Sequence, residues 1–377
     1  MKNVSKRPFH FMMLILFVGF LFFLSGCGSN DSGNDQDNDK NTNQQENDNT
    51  NATDNNQQAN DNNEDTVKGP EPLDPEVSLK IGYPTQGASM LPLWVAQDLG
   101  FFEKYGIDAE SVYIAGTPKV QEVLNGGGID AGLLGVDAVG KAKSAGHDSV
   151  IIASVADKVA MYVYGTEDLN KDALEDDLKG ETVITAAEGS LYDYLAQEFI
   201  TTTGLSNDDV DYLNMGGEGD RTAAFVNGEG KAIVISPPTS FKLDDMGYQR
   251  IFDFSDLDVL LAGLGMTTEY YEEHPEVAKA LIAALVEANH AILTNKEDTL
   301  DVLMEWTGID DPDIAEATYE ANLPVIPDDP LVTDESVQFF LERSDSDDVQ
   351  GMDVTDLVDD SIAKELDESG WIEQIME

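Results

Sequence analysis

Hydrophobic positions along this chain follow four successive patterns. Behind a basic head of Lys2, Lys6 and Arg7, residues Phe11 to Leu24 form one apolar run. The run is shorter than the roughly 20 apolar residues that cross a bilayer. It closes on Leu24-Ser25-Gly26-Cys27, so residues 1–27 read as a secretory signal ending in a lipobox, with Cys27 as the lipidation site. From Gly28 to about Glu76 the chain is almost entirely Asn, Asp, Gln, Ser, Thr and Gly, with Val67 and Leu73 as its only large aliphatics. Such a segment buries too little surface to offset the entropy of ordering it, so residues 28–76 are expected to be a disordered acidic tether.

From Val77 onward, short apolar runs alternate with amphipathic stretches. Strands are predicted over Val77 to Tyr83, Ala109 to Ile114 and Ala131 to Leu134, with helices over Leu91 to Leu99 and Pro118 to Leu124 between them. Val136 to Ser144 and Val150 to Val155 continue the rhythm. A second set follows: strand Thr182 to Thr185, helix Ser190 to Thr203, strand Asp209 to Leu213, helix Arg221 to Val226 and strand Ala232 to Ile235. Strand, helix, strand at this spacing implies parallel pairing with right-handed crossovers, and hence two consecutive α/β units. From Pro275 the period becomes helical, with Val277, Leu281, Leu285 and Ile292 on one face; these helices are expected to close back onto the first unit.

Charge and cysteine content narrow the function classes. The formal net charge is -53, from 74 acids against 21 bases. Such a surface repels nucleic acid, and no basic patch offsets it. The acidity reads as an adaptation for solubility in concentrated salt or at alkaline pH. Cys27 is the only cysteine, so once it is lipidated no thiol remains for a disulfide, a zinc site or a cysteine nucleophile. His147, His274 and His290 have no metal-ligand spacing, and there is no serine elbow or phosphate-binding loop, so neither metal nor cofactor is expected.

Several short motifs together resemble the solute-binding proteins for nitrate, alkylsulfonates, taurine and thiamine pyrimidine precursors. They are Ile81-Gly-Tyr83, Leu91-Pro-Leu-Trp-Val-Ala96, Gly100-Phe-Phe-Glu-Lys-Tyr-Gly-Ile107, Asn125-Gly with Ile129-Asp-Ala131, Asp177-Leu-Lys-Gly180, Glu188-Gly-Ser190 with Tyr192-Asp-Tyr194, and His274-Pro-Glu276. The resemblance implies a two-lobed periplasmic-binding-protein fold of the type with two crossovers, handing a small solute to the permease of an ABC importer. The crossovers are placed near Tyr164-Gly165-Thr166 and near Leu261 to Thr267. The first lobe is then residues 77–165, completed by 263–377, and the second lobe is 166–262. The chain is expected to be a monomer, lipid-anchored on the extracellular face of a Gram-positive-like membrane. A surface sensor or adhesin reusing the lobes is an alternative reading. A related thiamine-pyrimidine synthase is a weaker one, because its cysteine-rich motif is missing.

Ligands of open parallel sheets bind beyond the carboxyl ends of the strands. On that rule the candidate site collects Ser89 and Met90 after the first strand, Gly116 and Thr117 after the second, and Gly135 and Val136 after the third. In the second unit it collects Glu188, Gly189, Ser190, Tyr192, Arg221 and Pro237. Asp137 reads equally as a helix cap. The Glu188-Gly-Ser190 terminus offers free amides to an anion, while Glu188 would repel one and suits a ligand with an amine or ring N–H. Arg221 reads either as a bidentate partner for a carboxylate or sulfonate or as a solvated helix charge. Tyr83, Trp94, Tyr113, Tyr192 and Tyr194 are candidates for an aromatic wall, Trp94 being equally at home in the core.

Overall fold

A computed structural model describes residues 67–377. The signal, Cys27 and most of the acidic segment lie outside the described residues. The last ten residues assigned to the tether do not behave as tether. The Leu73 amide donates to the Tyr105 carbonyl (3.0 Å), the Val67 amide donates to Gln374 Oε1 (2.6 Å), and both side chains pack against the core. Two aliphatics in a polar stretch are enough to dock the end of that segment on the fold.

Ten strands form two five-stranded sheets. They are β1 (Val77–Tyr83), β2 (Ile107–Tyr113), β3 (Ala131–Leu134), β4 (Ser149–Lys158), β5 (Tyr162–Gly165), β6 (Thr182–Thr185), β7 (Asp211–Asn214), β8 (Ala232–Ile235), β9 (Gln249–Asp253) and β10 (Asp258–Thr267). The first sheet has the order β2-β1-β3-β10-β4 and the second β7-β6-β8-β5-β9. Where a helix separates consecutive strands the pairing is parallel, as in β1 with β2 from Val77↔Ile107 to Tyr83↔Tyr113, and β6 with β7. β5 and β10, the strands that follow the crossings between sheets, are antiparallel to their neighbours. No intervening helix turns the chain around there, so the strand-helix-strand rule does not reach them.

Both crossings lie earlier than the sequence suggested. The chain leaves the first sheet through Val159, Ala160 and Met161, all buried, and returns through residues 254–257. Tyr164-Gly165 and Leu261 to Thr267 are instead inside β5 and β10. The first crossing is as apolar as the strands beside it, so no break in composition marks it.

The helices that build the core and the cleft are α1 (Leu91–Asp98), α2 (Thr117–Asn125), α3 (Val136–Ser144), α4 (Leu191–Thr202), α5 (Glu218–Val226), α6 (Thr239–Asp245), α7 (Pro275–Thr294) and α8 (Asp334–Arg343). Proline in the first turn opens α1, α2 and α7, where its missing N–H costs nothing. α3 carries Asp137 in its first turn and Lys141 and Lys143 in its last, which suits the helix dipole. α7 is long and apolar enough to span a membrane, yet it is mostly buried in the first core. Its one interior charge, Glu287, is met by Tyr105 and Lys104. α8 instead joins a second core cluster with residues of both sheets, and this brings Phe340 from the C-terminal region up to the cleft.

Candidate functional site

Six loops at the carboxyl ends of the strands meet between the sheets. Three come from the first lobe, after β1, β2 and β3, and three from the second, after β6, β7 and β8. Glycines let the facing loops approach at backbone distance. A Cβ on Gly87 would stand 2.9 Å from Ser236 Oγ, one on Gly116 would stand 3.3 Å from the Ala187 Cβ, and one on Gly216 would stand 3.4 Å from the Ala115 carbonyl oxygen. The Ala88 amide also donates to the Pro237 carbonyl at 3.3 Å.

The loops enclose a cavity of about 40 Å³, room for a few waters or a compact ligand. Met90, Gly116, Thr117, Gly135, Gly189, Ser190, Tyr192 and Arg221 line it, as expected from the sequence. Ser89, Val136, Glu188 and Pro237 do not. Ser89 and Pro237 are buried but not part of the cavity lining, and Val136 belongs to the core. Glu188 is exposed, so the carboxylate that argued for an amine-bearing ligand points elsewhere. The aromatic wall is also largely absent. Trp94 stacks on Trp306 (5.5 Å, 9°) inside the first core, with Tyr83 edge-on to both, and Tyr194 packs edge-on to Phe340. Tyr192 alone of the five reaches the cavity.

The second lobe supplies the charge. Arg221 on α5 is 2% exposed. Its Nη1 donates to the carbonyls of Met215 (3.3 Å) and Gly216 (3.2 Å), and its guanidinium lies 4.8 Å from the Tyr192 ring centre. Nε and Nη2 have no hydrogen-bond partner among the described residues. Leaving charged donors unpaired inside a protein costs several kcal/mol, which makes this side chain the candidate for contact with a bound group. One turn back, Glu218 lies 4.0 Å from Nη2 and accepts hydrogen bonds from Thr239 Oγ1 and, across the cleft, from Thr85 Oγ1 (3.4 Å). Burial pushes the Glu218 carboxyl above the usual range, and Arg221 pulls it back. The Tyr192 hydroxyl shares a 2.9 Å hydrogen bond with Ser236, and burial raises its pKa to about 12.

The α4 terminus is less open than its sequence suggests. Ser190 caps the helix by accepting from the Asp193 amide, and its own amide donates to Ala187. The Gly189 amide donates to Asp193 Oδ2 (3.1 Å), so a carboxylate of this chain already uses part of that pole. Across the cavity, Asp137 is buried, accepts from Ser344 Oγ (2.5 Å) and pairs with Lys141 (2.9 Å), which in turn pairs with Asp345 (2.6 Å). It lies in the first turn of α3 with Gly135 as the cap, so it is a cavity residue and not a cap.

Glu218, Leu261 and Phe340 escaped the sequence reading. Predicting α5 to begin at Arg221 left Glu218 in a loop, although an acid three residues before an arginine is a signal for one helix face. Leu261 on β10 and Phe340 on α8 arrive from distant segments, and no local pattern marks them.

Two α/β lobes crossed twice by the chain, with a cavity at the carboxyl ends of both sheets, make up the periplasmic-binding-protein fold. Solved structures agree. The chain superimposes on the alkanesulfonate-binding protein SsuA of Xanthomonas axonopodis bound to MOPS with a TM-score of 0.61 (22% identity, 70% of this chain, 91% of that one). The periplasmic nitrate-binding protein NrtA of Synechocystis PCC 6803 gives 0.66 (16% identity, 80% and 90%). The family model described as NMT1/THI5 like matches residues 88–299, more than half of the chain, and the chain belongs to that family. A protein of Brucella abortus (strain 2308), named only as a candidate binding protein, is 26% identical over 252 residues, 63% of this chain and 75% of its own length.

Proposed function

We propose that this protein is the solute-binding component of an ABC importer, anchored through Cys27 to the outer face of the membrane, and that it captures a small organic anion for delivery to a permease. The observation that carries this reading is Arg221: a buried guanidinium with two N–H groups turned to no partner, lining a cavity between two lobes. A carboxylate or sulfonate fits its fork. Asp137 on the opposite wall favours a solute whose far end donates a hydrogen bond, such as an amine, amide or ring N–H, so the nitrogen-containing and the alkylsulfonate classes meet in one molecule. That SsuA binds MOPS on the same fold supports the class.

A thermal-shift screen of the full-length chain in mild detergent, pairing each small carboxylate or sulfonate with its neutral amide or alcohol analogue, tests the reading. Anions are expected to raise the melting temperature where the neutral partners do not. Stabilisation by the neutral analogues alone overturns it. For the anchor, Cys27→Ser is expected to abolish palmitate labelling and release the protein from the membrane; labelling that persists in this variant contradicts the assignment.

A further inference from the structure

Arg221, which lines the cavity, has a buried carboxylate beside it. Glu218 stands 4.0 Å from it on the same helix, and its carboxylate is also buried, though less deeply than the guanidinium. The distance is too long for the direct fork that an Arg–carboxylate pair normally makes. The two charges compensate one another electrostatically, while the N–H groups of Arg221 stay open. While Glu218 is ionised, its charge and that of Arg221 cancel. An anion placed on Nε and Nη2 makes the cluster one positive and two negative charges in a dry space, and an uncompensated buried charge is what proteins avoid.

The groups that face Glu218 leave one way to restore neutrality. From its own helix comes Arg221, from α6 Lys242, from α4 the Tyr192 hydroxyl, and from β2 the Tyr113 hydroxyl. Two hydroxyls donate to it, Thr239 from its own lobe and Thr85 from the other. Arg221 and Lys242 are the cations beside it, and burial pushes the Tyr192 hydroxyl up to about 12, so that group has no place for a further proton. Glu218 is therefore the group able to take up a proton when an anion arrives.

We propose that the proton is part of the ligand: an anion enters the open face of Arg221 together with one proton from solvent, which settles on Glu218. Glu218 thereby sets the charge that the site accepts. The electrostatics run in the same direction. Burial pushes the Glu218 carboxyl up and Arg221 is the chief influence pulling it down, so an anion that neutralises Arg221 raises it further. The complex then holds more protons than the free protein. Affinity is greatest below the carboxyl's pKa in the free protein, falls as pH rises from there to its pKa in the complex, and is level above that. Inside the window the change approaches about tenfold per pH unit.

This inference rests on the reading of Arg221 as an anion site, and the test separates the two. Methanesulfonate and nitrate are suitable probes because neither titrates between about pH 5 and pH 9, so any proton taken up belongs to the protein. Calorimetric titration of the full-length chain at neutral pH, in Tris and in imidazole to avoid sulfonate buffers, reads proton uptake from the difference in heat. Uptake approaching one proton per anion is expected, with weaker binding at higher pH. Glu218→Gln is expected to abolish the uptake and flatten the pH profile, and to bind the anion at least about tenfold more tightly at pH 8. Anion binding with no proton uptake in the natural chain, or uptake that persists in Glu218→Gln, overturns the inference and leaves the anion site standing. If neither probe binds the natural chain or the variant at any pH, the Arg221 reading falls and this inference with it.

Discussion

The two walls of the cleft are built from different chemistry. The first-lobe wall consists of Thr85, Met90, Gly116, Thr117 and Gly135, and its one charge, Asp137, is paired with Lys141. The second-lobe wall holds Arg221, whose Nε and Nη2 have no partner among the described residues, and Tyr192; Glu218 adjoins the first and Ser236 hydrogen-bonds the second. On the proposed reading, one lobe recognises charge and the other closes over it. This division makes physical sense, because a charged cluster keeps its geometry only where packing holds it on every side. α5 is anchored by Phe225, which is fully buried against Tyr248. A lid, by contrast, must approach closely and leave again, which small residues and hydroxyls allow.

Substitutions on the two walls should therefore fail differently. Arg221→Met is expected to have the largest effect, weakening anion binding by about 2–5 kcal/mol, the range for removing one partner of a buried charge pair. Titration of the variant with the anion found in the screen checks this, and a loss under about tenfold would make the guanidinium structural. Gly87→Val comes next. Gly87 has φ of -75°, so a side chain there brings no backbone strain, but its Cβ would meet Ser236 Oγ when the lobes approach. Weaker binding by about 1–3 kcal/mol is expected, the usual cost of overpacking. The unliganded melting temperature should change little, and a variant that loses stability without losing affinity would break the comparison. Thr85→Val removes the hydroxyl that reaches Glu218 across the cleft. It should weaken binding by about 0.5–1.5 kcal/mol, read in the same titration, because one neutral donor is lost at nearly constant volume.

How much of this was legible in the sequence depended on the range over which each feature is specified. The parallel strands β1, β2, β3, β6, β7 and β8 were readable because apolar runs and the helices between them repeat locally. β5 and β10 were read as connections, since both follow crossings set by the packing of two sheets and not by a period. In the site, the glycine loops and Arg221 stood out by residue type and position. Glu188 misled because an acid beside a helix start looks like a site residue, whereas the Gly189 turn directs it outward. Glu218 is the carboxylate that adjoins Arg221, and burial is what distinguishes it from the exposed Glu188.

The central claim is that Arg221 holds the solute while the first lobe closes over it. Small-angle scattering of the natural chain and of Arg221→Met, each with and without the anion found in the screen, tests that claim most directly. The account predicts that the radius of gyration of the natural chain falls on adding the anion and that Arg221→Met shows no change at the same concentration. A variant that contracts as the natural chain does would place anion recognition elsewhere and contradict it.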